Sequence, residues 1–144
     1  MAEYVVFRSL AEIECAIRSS WSEQTCDPVA LDEWSGDNPG RGQCAVTALV
    51  VQDLLGGELL LAEVLNADGS RQGLHYWNRL ASGVEVDLTR DQFSATEIVQ
   101  EPDVVPRPPD TTSGRLAPQY QALATAVHAR CRGFEAPQSS PART

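Results

Sequence analysis

Three residues able to form a nucleophile, a base and an orienting acid occur in one order along the chain: Cys44, His75 and Asp87. Cys44 follows the irregular segment Asn38-Pro39-Gly40-Arg41-Gly42-Gln43 and opens a hydrophobic run. Its thiol is therefore expected at the positive end of a helix dipole, among backbone N–H groups without helical acceptors, a setting that favours the nucleophilic thiolate. His75, one of two histidines in the chain, is the natural proton carrier for that sulfur. Asp87 is placed to hold the imidazole in the tautomer that turns its free nitrogen to the thiol. The chemistry implied is attack on an amide, ester or thioester carbonyl through an acyl-enzyme, with water or an amine as acceptor. An oxyanion formed in that attack needs donors, for which the Cys44 N–H is the first candidate and Gln43 or an upstream loop residue the second. Gly40 and Gly42 leave room for a substrate beside the backbone. Trp77 is read as a shield over the His75–Asp87 pair and Trp34 as a residue lining the opening. Carboxylates and histidines do not recur at ligand spacing, so neither a metal nor a cofactor is expected.

These residues need elements to position them. Ser9-Leu10-Ala11-Glu12 has the spacing of a capping box, and Leu10, Ile13 and Ile17 form one helical stripe, predicting a helix to about Ser20 with Cys15 off its buried face. Trp21 to Arg41, with Pro28, Gly36, Pro39 and Gly40, reads as a long irregular loop in which Cys26 is idle. Gln43 to Gly57 is apolar around nearly the whole circumference of a helix of about 12 residues that Gly56 ends, predicting a central buried helix. Glu58 to Asn66 then reads as a strand, with Asn66-Ala67-Asp68-Gly69-Ser70 as its turn.

Leu74–Leu80 and Val84–Thr89 are alternating runs separated by Ala81-Ser82-Gly83, a hairpin loop length that favours Gly last. Pairing Leu80 with Val84 sets Asn78 opposite Val86 and Trp77 opposite Asp87. It also sorts Leu74, Tyr76, Leu80, Val84, Val86 and Leu88 onto a core-like face and His75, Trp77, Arg79, Glu85, Asp87 and Thr89 onto a reactive one. His75 and Asp87 become diagonal neighbours, within reach of a hydrogen bond if they lean together. Asp91 lies beyond the predicted strand end and is the less suitable orienter. Ser94 to Gly114, with four prolines, reads as an extended connector. Leu116 to Arg132 reads as a third helix that Gly133 stops, with His128 on a solvated face, and 134–144 as a disordered tail. Residues 1–133 then form one domain.

Composition narrows the classes of function. A length of 144 residues, 42% of them hydrophobic, suits one compact core. No apolar run approaches the roughly 20 residues of a membrane span, and Met1–Leu10 lacks the order of a signal peptide, predicting a cytoplasmic protein. A formal net charge of −9 opposes nucleic acid and anionic membranes as partners. The four cysteines include no C-x-x-C pair, which speaks against a zinc knuckle, and a cytosolic chain of this size needs no disulfide framework. Nothing in the sequence fixes an oligomeric state.

Taken together, a helix with Cys at its start and strands bearing His and then Asp resemble the core of the transglutaminase-like branch of papain-like cysteine enzymes. The stretch Asn38-Pro39-x-x-Gly42-Gln43-Cys44-Ala45-Val46-Thr47-Ala48-Leu49-Val50-Val51-Gln52-Asp53 is, with His75-Tyr76-Trp77-Asn78 and Val86-Asp87-Leu88-Thr89-Arg90-Asp91-Gln92-Phe93, similar to the small bacterial YunG-like family. The resemblance implies an α+β, papain-like fold in which the helix bearing Cys44 packs on a small antiparallel sheet, and a Cys-His-Asp triad acting on a small-molecule or peptidyl acyl substrate. The competing expectation is a catalytically silent domain that binds a small molecule or a protein in the same cleft, with Cys44 as packing.

Overall fold

The computed structural model describes residues 9–108 and 114–139, with side chains as far as Arg130. The apolar run at Tyr4–Phe7, the Cys131 side chain and residues 140–144 of the expected tail lie outside the described residues. The fold is α+β. Helix α1 (Leu10–Arg18) is capped by Ser9, whose Oγ accepts the Glu12 backbone N–H at 3.2 Å. Ile13 and Ile17 are buried, but Leu10 stays 43% exposed at the helix start, so the inner stripe is narrower than the sequence predicts. In the long loop that follows, Asp27 caps a short 3-10 turn, Pro28–Glu33.

Helix α2 (Cys44–Leu55) has the length and both ends that the sequence predicts, and Gly56 stops it with φ +73°. Val46, Val50 and Val51 pack against Ile13, Ile17, Trp21, Leu123 and Val127, joining α1 and α2 to α3 (Ala117–Ser139). The third helix continues through Gly133, the expected stop, to Ser139. On its other side α2 packs Ala48 and Leu49 on Leu59 and Tyr76 of the sheet, and its Ala48 carbonyl accepts from Asn78 Nδ2 at 2.9 Å. A helix with apolar residues all round is thus enclosed between helices and sheet.

The sheet runs β3-β2-β1-β4, built from β1 (Glu58–Leu65), β2 (Arg71–Arg79), β3 (Glu85–Val86) and β4 (Ile98–Val99), with β5 (Asp103–Val105) also paired to β1. All pairs are antiparallel. The hairpin has the predicted register, Asn78 opposite Val86, and its loop closes through Leu80 N–H to the Val84 carbonyl at 2.8 Å with Gly83 at φ +91°.

Two expectations are corrected. The strand expected over Val84–Thr89 ends at Val86. Asp87 turns the chain, because its carboxylate accepts the Thr89 backbone N–H at 3.3 Å, a local bond that competes with the ladder. Nor do the two faces divide as the core-like and reactive sets predict: residues after the turn fold back over the reactive face, so that His75 is 0% and Trp77 4% exposed, while Leu74 of the core-like set is 43% exposed. Phe93 lies edge-on to His75, and Val99 packs on Leu60, Ala62 and Trp77. The connector from Ser94 also supplies β4 and β5, which cover the far edge of β1; Pro102 and Pro106 keep both short. No helix among the described residues is long and apolar enough to cross a membrane.

Candidate active site

β3 pairs with Asn78 and Arg79, and among the described residues the earlier part of that edge of β2 has no strand partner. The start of α2 meets β2 there: Cys44 Sγ stands 4.0 Å from the Leu74 carbonyl oxygen. His75 is the next residue, and its Nε2–H donates to Asp87 Oδ2 at 2.7 Å. With Nε2 engaged, the buried Nδ1 has no hydrogen-bond partner among the described residues and is the ring atom available to the sulfur. The structure therefore gathers Cys44, His75 and Asp87 from a helix start, a strand and a turn.

Electrostatics follow from this packing. Burial is the largest single influence on His75 and lowers its pKa, but the hydrogen bond and charge of Asp87, together with the nearby Cys44, outweigh it, raising the imidazole from 6.5 to about 9. The ring carries a proton at neutral pH. Burial raises the Asp87 carboxyl, yet the bond and charge of His75 and the Arg90 guanidinium, whose Nε donates to Oδ2 at 2.8 Å, hold it below the ordinary 3.8. Trp77 stacks on the imidazole at 5.2 Å between centroids and anchors its indole N–H to Glu85 at 2.8 Å. Arg90 lies over the other ring of this stack, 5.4 Å from the Trp77 centroid.

Cys44 opens onto a cavity of about 1060 Å³ lined also by Ala45, Leu49, Tyr76, Gln92 and Phe93. Its charged walls are largely neutralised in pairs: Arg115 with Asp27 at 2.9 Å, and Arg41 with Glu33 at 2.8 Å and Glu97 at 3.5 Å. Trp34 is not among the lining residues; its indole N–H is held by the Pro39 carbonyl at 2.9 Å. Gln43 is fully buried and its amide bonds the Ser22 carbonyl and the Thr25 hydroxyl, bracing the preceding loop instead of serving the cavity.

Gly42 lines the cavity but leaves no room at its Cα: a Cβ there would lie 2.6 Å from Cys26 Sγ and 2.8 Å from the Ala30 Cβ, at φ +75°. Gly42→Ala is therefore expected to destabilise the fold by about 3 kcal/mol through overpacking and left-handed strain, read as a lower urea midpoint. Gly40 is likewise packed, against Trp21. Cys26 is buried, which pushes its thiol up to about 11, and Cys15 is exposed on α1. Asp91 pairs with Arg18 at 2.9 Å, and His128 is exposed on α3. Among the described residues no group of three or more His, Cys, Asp and Glu could hold a metal ion.

Over residues 9–132 the sequence matches the family described as YunG protein. The chain belongs to that family. It is 31% identical over 86 residues to a protein of Bacillus subtilis (strain 168) described as "Uncharacterized protein YunG", a match covering 60% of this chain and 64% of that relative. The aligned stretch thus spans less than two thirds of the curated relative it matches. No solved structure matches the chain. In this YunG family member, sequence reasoning left out the supporting roles of Arg90, Gln92 and Phe93, although all three lie within the Val86–Phe93 run; their contacts depend on a turn that strand alternation does not foresee.

Proposed function

We propose that this chain is a thiol-dependent hydrolase or acyltransferase with a transglutaminase-like, papain-like arrangement of Cys44, His75 and Asp87. Cys44 attacks an amide, ester or thioester carbonyl, the imidazolium of His75 gives its proton to the leaving group, and water or an amine then takes the acyl group. Asp87 steadies the ring and its charge. The observation that carries this reading is the division of the imidazole: one nitrogen bound to Asp87 at 2.7 Å, the other buried, without a partner among the described residues and near a thiol that opens on a cavity. The acyl donor is of small-molecule or peptidyl size, and the cytoplasm, where free thiols stay reduced, is the compartment this chemistry suits.

A silent binding domain is the second reading, favoured by one observation: the sulfur's hydrogen-bond contact is the distant Leu74 carbonyl and no bond to His75 is closed. Alkylation separates the two. Cys15 is the more exposed thiol, so accessibility alone makes it the faster. The enzyme reading expects iodoacetamide at pH 7 to modify Cys44 at least about 10-fold faster than Cys15, and His75→Ala to erase that advantage. Equal rates in the native chain, or no response to His75→Ala, would leave only the silent domain.

A further inference from the structure

We propose that Gln92 donates the hydrogen bond that stabilises the oxyanion in this site, an inference that rests on the acyl-transfer reading above. Gln92 is 6% exposed and lines the same cavity as Cys44. Its side-chain Oε1 accepts the backbone N–H of Gly42, two residues before the nucleophile, at 3.2 Å. Its carbonyl accepts from Asn38 Nδ2 at 3.0 Å and from Arg41 Nη1 at 3.4 Å. The residue is thus fixed from both ends to the loop that delivers Cys44, and the next residue, Phe93, abuts His75.

One group is left over. Gln92 Nε2 is buried and has no hydrogen-bond partner among the described residues. A buried amide NH₂ without an acceptor is unfavourable, so such a group marks a place where an acceptor arrives with the ligand. The carbonyl oxygen of an acyl substrate is that acceptor. When Cys44 Sγ bonds to the carbonyl carbon, the π electron pair moves onto oxygen, and the Gln92 Nε2–H, brought to the cavity by a small side-chain shift as the substrate enters, stabilises the new charge. Collapse returns the pair, breaks the bond to the leaving group and leaves the thioester. Gln43, the residue that the sequence puts forward for this task, has its amide committed to Ser22 and Thr25. Gln92 Nε2 has the same donor chemistry uncommitted among the described residues.

Two reagents separate this role from support of the loop. Acetylation by p-nitrophenyl acetate passes through an oxyanion; alkylation by iodoacetamide does not. Gln92→Glu keeps an acceptor for the Gly42 N–H but loses the donor, and Gln92→Met loses both without adding charge. In the full chain both variants are expected to lower the rate of Cys44 acetylation about 100-fold or more while changing its alkylation less than about 3-fold. Acetylation unchanged in either folded variant, or acetylation and alkylation falling together, would overturn the assignment. If native Cys44 is alkylated faster than Cys15 but is not acetylated at all, the donor role is also refuted, whereas failure of both reactions defeats the acyl-transfer reading itself.

Discussion

Asp87→Asn is expected to lower the His75 pKa well below about 9, toward its ordinary 6.5, and to slow acyl transfer to Cys44 by roughly 100-fold or more. Both effects come from one contact. The carboxylate is the first of the groups that oppose burial at the imidazole, and a neutral amide cannot replace its charge. An asparagine NH₂ can also donate to Nε2, so that the neutral ring of the variant carries its proton on Nδ1 and cannot take up the thiol's. Stacking by Trp77 and the edge of Phe93 keep the ring in place, so the variant isolates protonation from position. NMR titration of the His75 ring, in a His128→Gln background to leave one histidine, measures the first effect, and burst kinetics with an activated ester the second. An unchanged pKa in the variant would contradict the electrostatic account.

The same proton makes stability depend on pH. Below about 6.5 both folded and unfolded chains carry it, and its full contribution is present. Between about 6.5 and about 9 the unfolded chain releases the proton and the folded chain keeps it, so stability falls as pH rises; above about 9 the contribution is gone. A shift of this size corresponds to about 3 kcal/mol. Urea unfolding across that range should show the decline in the native chain and a flatter profile in His75→Gln. Cys26, with its thiol pushed up to about 11, adds a decline of its own at higher pH that persists in the variant. Parallel profiles for the two proteins would show that His75 is not held as an imidazolium.

Much of the scaffold was legible in the sequence because it depends on local rules. Ser9 caps α1, Gly56 ends α2, and the Ala81-Ser82-Gly83 loop fixes Asn78 opposite Val86; each is decided by a few neighbouring residues. The His75–Asp87 pair was legible for the same reason, through hairpin register. What strand alternation could not foresee was that Asp87 would bond Thr89 and turn the chain, bringing Phe93 over the reactive face. Nor does periodicity reveal β4 and β5, whose few residues form strands only because β1 offers an edge. Gln43 and Gln92 make the general point most sharply: the two glutamines have the same donor chemistry, and which one is spent on the loop is decided by partners from distant segments, Thr25 for one and Gly42 for the other.

The central claim is that Cys44, served by His75 and Asp87, accepts an acyl group. Peptide mapping by mass spectrometry after brief exposure to p-nitrophenyl acetate at pH 7 tests it most directly. The account predicts an acetyl group on Cys44, little on the exposed Cys15 or the buried Cys26, and loss of the Cys44 adduct in His75→Ala. Acetylation of Cys15 as fast as Cys44, or labelling of Cys44 indifferent to His75, would contradict it.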